Sequence, residues 1–235
     1  MLSQLTNNPL FGLILSIGMF LVAKLIAKKL KHPVFNPLIV AMILVIIFLK
    51  VTHISYEHYY QGGQILNMLI APATVALAIP LYKSFHLLQH HARSIMVGIM
   101  VGTFFSTFLT GILAIVFRLD HSLTASLMPK SVTTAIAIDI ADKMKGVPTV
   151  TLIVVIVTGI IGAIISPTIL KICRIEEPVA KGIAIGSSAH AIGTTKAMEL
   201  GEVEGAMSGL AIGVTGLVTV FVAPLMMRFI MHLFG

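Results

Sequence analysis

A chain of 235 residues that is 57% hydrophobic and 11% charged is not a water-soluble domain, because such domains carry about 25% charged residues. Its net charge of +7 does not point to nucleic acid: the basic residues gather at the ends of apolar runs, next to where anionic lipid would lie, and no basic patch is interleaved with aromatics. The single cysteine, Cys173, excludes an internal disulfide.

Spanning a bilayer takes roughly 20 apolar residues as helix. Taken in chain order, six segments meet that need: 9–28, 34–51, 63–82, 95–117, 148–171 and 205–229. The clearest are Ile95–Phe117, Thr149–Leu170 and Gly205–Met227, which hold 23, 22 and 23 residues without a charge. The first run has no positive charge before it and no small-residue cleavage site after it, so it reads as a span rather than a secretory signal. The third contains APATVALAIPLY, in which Pro72 and Pro80 bracket an alanine-rich core. Each proline frees a helix carbonyl, available either to a solute or simply to a kink. Segment 82–94, YKSFHLLQHHARS, reads as a helix on the membrane surface. Its histidines lack Cys or carboxylate partners, and no metal centre is expected.

Two segments, 128–145 and 184–202, are too short or too polar to span. With both leaving the membrane on the face they entered, nine basic residues fall on one side and six on the other, which predicts a cytoplasmic majority face and an external N-terminus. Spans five and six share the pattern T-G-x7-P, Thr158–Pro167 and Thr215–Pro224, at an offset of 57 residues. The same offset pairs Ser131 with Ser188 and Asp142 with Glu199. The expectation is therefore an all-α polytopic membrane protein with six full spans and two re-entrant hairpins. Residues 1–127 form a scaffold half, and residues 128–235 an inverted-repeat half with copies 128–172 and 185–229. Inverted repeats with broken helices mark secondary transporters, whose substrate sits where the breaks meet near the midplane.

The candidate site follows from that layout. Ser131, Thr133 and Thr134 precede a short alanine- and isoleucine-rich helix, and Ser187, Ser188 and His190 stand in the equivalent place of the second copy. Helix starts offer free N–H groups and the positive dipole end, which suit an anion. Lys130, Thr194 and Lys196 add charge and hydroxyl, and His190 or Glu199 is the candidate for proton coupling. The plainer alternatives are a surface pair between Lys196 and Glu199 and a core histidine at 190. The pairs Gly98/Gly102 and Gly209/Gly213 have the spacing of close helix packing, within or between chains. No H-E-x-x-H or G-x-S-x-G motif is present, so neither an enzyme nor a cofactor is expected.

The motifs PATVALAIPLY, PKSVTTAIAI, TGIIGA and AKGIAIGSSAHAIGTTKAMELGEVEGAMSGLAI, with the T-G-x7-P of the last span, resemble the LrgB/CidB family of bacterial membrane proteins over nearly the whole chain. Members commonly read SVTTPIA and SHAIGTA, where this chain has Ala135 and, at the second motif, Ala189-His190 followed by Thr194-Thr195. The resemblance implies a multi-pass protein of the bacterial plasma membrane and two functional stories. One is an antiholin-like or holin-like regulator of murein hydrolases, autolysis and cell death, acting with a small LrgA/CidA-type membrane partner. The other is a carrier of small monocarboxylates of the pyruvate and glycolate class. The carrier reading is preferred on the residues, and a homodimer is the expectation for a carrier with a scaffold half.

Overall fold

The computed structural model describes residues 8, 10–30, 37–69, 72, 75, 79, 82 and 85–234. Among these the regular elements are helices, in two compact units, Met1–Ala76 and Leu77–Gly235.

In the first unit α1 (Leu10–Leu30) packs against α2 (Pro37–Thr52) and α3 (Tyr56–Met68). Gly12 lies under the carbonyl of Tyr59, where any side chain would collide. One helical turn on, Ser16 Oγ and Tyr59 Oη share a hydrogen bond of 2.8 Å. Helix α3 starts at Tyr56 because Ser55 caps it, accepting from His58 N. The third expected span, 63–82, thus begins inside a helix that is already seven residues long. Its remainder, Pro80 included, lies largely outside the described residues, and Pro72 is described only as a helical residue.

The second unit holds α4 (Phe85–Val116), α5 (His121–Leu127), α6 (Thr134–Lys143), α7 (Pro148–Ile172), α8 (Pro178–Leu200) and α9 (Glu202–Phe234). Segment 82–94 is not a separate surface helix. From Phe85 it runs unbroken into the fourth span, since no Gly or Pro interrupts residues 85–97. Helices α1, α4, α7 and α9 are long and apolar enough to cross a membrane, α4 from Gln89 onward, while α2 is an apolar helix of 16 residues. Six full spans were expected. Four meet the length and composition of a span among the described residues.

Several helices end without glycine. His53, Arg118, Lys145 and Arg174 adopt φ of 54°, 53°, 62° and 53°. After each, the next N–H reaches back five residues, as from Leu119 to Ala114 O (2.8 Å) and from Ile175 to Leu170 O (2.9 Å). These are Schellman stops in which a basic or imidazole side chain takes the place usual for glycine. The left-handed backbone is unfavourable there, but a cation at the negative end of a helix is favourable.

The chain doubles back twice. Between α5 and α6 the bend is 128–133. Ser122 Oγ donates to Lys145 O at 2.9 Å and Ser126 Oγ accepts from Val147 N at 2.7 Å, so the start of one leg lies beside the end of the other. Ser126 is fully buried and also donates to Ser122 O at 2.7 Å. Ser126→Ala orphans the Val147 N–H at the start of α7, and the expected cost is about 1–3 kcal/mol, read as a lower melting midpoint in detergent.

Helix α8 doubles back at His190, whose φ of 41° and ψ of −139° are not helical. In its first leg Gly182 and Gly186 lie against Glu204 and Ser208 of α9, numbers rising together. In its second leg Thr194 and Met198 lie against Ser208 and Gly205, numbers running opposite ways. The legs face each other: a Cβ on Gly193 would sit 3.0 Å from Ile185 Cγ2 and 3.4 Å from Ile185 O.

The 57-residue offset maps one hairpin on the other. Shifted by 57, α6 becomes residues 191–200, the second leg of α8. Asp120, which caps α5 by accepting from Leu123 N at 2.7 Å, becomes Glu177, which caps α8 by accepting from Ala180 N at 2.6 Å. Thr133, the N-cap of α6, becomes His190.

Two clusters fasten the hairpins. Ala125, Met128, Ile140 and Met144 of the first pack with Ala223, Met226, Met227 and Ile230 of α9. Val179 and Ile183 of the second pack with Ile95 and Ile99 of α4 and with Ala206, Met207 and Ala211 of α9. Alanine and methionine dominate the first, as suits helices that associate by close approach in lipid, and isoleucine and valine the second.

Candidate functional site

The two bends converge on α7 from its opposite ends. The first hairpin has its base at Val147, where α7 begins, and its bend residue Val132 packs with Val155. The second has its base beside Leu170, which packs with Ile185 and Ala197, and its bend meets Gly159 and Gly162. Val155 and Gly159 are four residues apart, about 6 Å along a helix. Both bends therefore reach the middle of one 25-residue helix.

Glycines of the T-G pairs make this possible, and they do so crosswise. Gly159, in the helix after the first hairpin, seats the second: a Cβ there would lie 2.5 Å from His190 Cε1 and 3.0 Å from Ile192 Cβ. Gly216, in the helix after the second hairpin, seats the first: a Cβ would lie 2.8 Å from Ile136 Cδ1.

At the first bend Lys130 is half-buried and donates to Thr110 Oγ1 at 2.6 Å and Ser106 Oγ at 3.1 Å, both on α4. Ser131 Oγ is 3.5 Å from Ser106 Oγ. Thr103, Thr107 and Thr110 are buried on the same stretch of α4. Thr133 caps α6 in extended backbone but makes no side-chain cap bond, so its hydroxyl leaves the first-turn N–H groups of α6, at Thr134 onward, uncapped.

At the second bend His190 is 2% exposed, and its Nδ1 has no hydrogen-bond partner. Thr194 Oγ1 donates to His190 O at 3.0 Å and shares a bond of 2.7 Å with Ser208 Oγ. Ser187 and Ser188 do not cap the second leg. Their hydroxyls bond backwards, to Ile183 O at 2.7 Å and Ala184 O at 2.6 Å, because both residues close the last turn of the first leg. Lys196 and Glu199 form a 2.7 Å ion pair on a face of the second leg where Glu199 is largely exposed. Such i,i+3 pairs contribute little, and Lys196→Ala is expected to change stability by less than ~0.5 kcal/mol, measured by melting in detergent.

The structure thus gathers Lys130, Ser131, Thr133 and Thr134 at one bend and His190 with Thr194 at the other, and leaves Lys196 in a surface pair. Sequence reading missed Ser106, Thr110 and Ser208, which lie on helices it treated only as spans. It also missed the seating role of Gly159 and Gly216. Their signal is the T-G pair, which in sequence marks the repeat and does not reveal the contact. The first bend thus holds an ammonium and an uncapped helix start, and the second a buried imidazole and a second helix start, groups of the kinds that hydrogen-bond small anions.

No solved structure matches this chain. Among curated proteins, antiholin-like proteins LrgB from Bacillus mycoides (strain KBAB4), Bacillus cereus (strain B4264) and Bacillus anthracis (strain CDC 684 / NRRL 3495) are each 39% identical to it. Each alignment runs over 226 residues, covering 96% of this chain and 98% of the relative. Residues 16–229 match the LrgB-like family, and the chain belongs to that family.

Proposed function

We propose that this chain is a secondary carrier of small monocarboxylates in the bacterial plasma membrane. The reading rests on one observation: two hairpins of a 57-residue repeat reach the middle of α7 from its two ends. In a membrane those hairpins are re-entrant and oppositely directed, and α2 and segment 63–82 complete six spans. A carboxylate entering between the bends would exchange water for Lys130, Ser131 and the first-turn N–H groups of α6 on one side and for His190 and Thr194 on the other. The helix starts supply positive potential without a protein charge that must be buried alone. His190 or Glu199 carries a coupling proton in this scheme, a small LrgA/CidA-type protein is the partner, and the working form is a homodimer.

The relatives' printed name, antiholin-like, favours a second reading: a regulator without transport, acting on murein hydrolase activity and autolysis as the family resemblance implies. Uptake of labelled pyruvate into vesicles containing only this protein separates the two. A carrier gives saturable uptake that unlabelled lactate and glycolate reduce. Absence of uptake both alone and with the small partner protein would discard the carrier and leave the regulator.

A further inference from the structure

Beyond the bends, the base of the second hairpin carries a site that neither reading uses. A cavity of about 270 Å³ lies where α7 ends and both legs of α8 begin or finish. Its floor is apolar, with Pro167 and Leu170 from α7 and Leu200 from the end of α8. Its rim holds three cations, Lys171, Arg174 and Lys181, and one carboxylate, Glu176. None of the three cations forms an ion pair among the described residues. Glu177, next in the chain, is occupied as the cap on Ala180 N.

The repeat supplies an internal comparison. At the 57-residue offset Pro167 becomes Pro224, and Leu200 becomes Lys143 in reverse. A cavity of about 160 Å³ lies there, lined by Pro224, Lys143 and Asp139. That cavity has one cation facing one carboxylate. The same architecture at the other end of the unit thus holds no excess charge, and the three-to-one ratio is particular to the second hairpin.

We propose that the Lys171–Arg174–Lys181 cavity binds a phosphate ester or phosphate anion. The chemistry is that of an anionic lipid headgroup or of free phosphate. Guanidinium and ammonium groups converge on phosphate oxygens, and an apolar floor at the end of a spanning helix accommodates the first part of an acyl chain. The cavity's walls come from α7 and from both legs of α8, so an occupant ties the second hairpin to α7 at its base. Occupancy therefore holds that hairpin in its seated position.

The test uses full-length protein purified in non-ionic detergent and stripped of lipid. Phosphatidylglycerol, phosphatidylcholine and inorganic phosphate are added separately, and the melting midpoint and retained lipid are measured. The expected result is that phosphatidylglycerol raises the midpoint and phosphatidylcholine does not. The K171Q/R174Q/K181Q protein is expected to need at least about tenfold more phosphatidylglycerol for the same shift, while K24Q/K28Q/K29Q behaves as wild type. Equal protection by inorganic phosphate would make free phosphate the source. Should the triple variant not fold, R174Q alone is measured, with weaker binding expected. A folded variant that binds as tightly as wild type, or a wild-type protein that responds to none of the anions, would overturn the site.

Discussion

Gly186→Leu is expected to leave little folded protein. A side chain at 186 would run into the carbonyl of Ser208, with Ala211 Cβ and Ser208 Cα only 2.8 Å from the new Cβ. One turn earlier, a Cβ on Gly182 would stand 2.5 Å from Glu204 O and 2.7 Å from Met207 Cβ. These obstacles are mostly backbone, which cannot swing aside as a side-chain tip would. Gly182 and Gly186 face α9 together, so relieving the collision means lifting the first leg of α8 off α9 and opening the cluster of Val179, Ile183, Ala206 and Met207. Overpacking costs ~1–3 kcal/mol where neighbours can adjust, and here the upper end or beyond is expected. Gly213→Leu is the control, because nothing lies within 4 Å of its added Cβ, and a change within ~0.5 kcal/mol is expected there. Melting midpoints and the yield of monodisperse protein in detergent measure both. Equal behaviour of the two variants would mean that α8 does not lie on α9 in this way.

That pair of glycines also marks the limit of what spacing conveys. The chain contains five G-x-x-x-G pairs, at 98/102, 182/186, 201/205, 205/209 and 209/213. Gly98, Gly102 and Gly213 have no neighbour within 4 Å of an added Cβ, so no close packing inside the described chain explains them, whereas α9 lies against both Gly182 and Gly186. Periodicity shows that two residues share a helix face but not which surface that face meets. The same reason hid Ser106 and Thr110, which reach Lys130 across 24 and 20 residues of sequence. What was legible came from local physics. The three long charge-free runs returned as α4, α7 and α9, and the first apolar run, with its lysines near one end, as α1. A segment too short to span returned as the ten-residue α6. The 57-residue offset also carried further in structure than in sequence, since it relates caps such as Asp120 and Glu177 that are chemically alike but sit in unlike surroundings. Helix boundaries were harder: Arg118, Lys145 and Arg174 stop helices in left-handed backbone, and a basic residue is an ordinary helix former that gives no stop signal.

His190→Gly and His190→Ala are expected to part company in stability and agree in uptake. The backbone at 190 has φ 41° and ψ −139°, a region that L residues rarely occupy and that costs of order 1–3 kcal/mol. Glycine adopts it freely, alanine does not, and both remove the imidazole from its place against Gly159. The glycine protein should therefore melt above the alanine protein by an amount worth about 1–2 kcal/mol. A histidine kept at such a position, against its backbone preference and with Nδ1 lacking a partner in a buried site, is explained if the imidazole meets the solute. In that case labelled-pyruvate uptake falls by at least about tenfold in both variants, the equivalent of one lost hydrogen bond to a charged group. Gly159→Ala, which would bring a methyl to 2.5 Å from His190 Cε1, should reduce uptake while leaving residue 190 unchanged. Uptake at the wild-type rate by the His190→Gly protein would remove the imidazole from the solute path. The bend would then be a structural feature, and the anion site would rest on Lys130 and the helix starts.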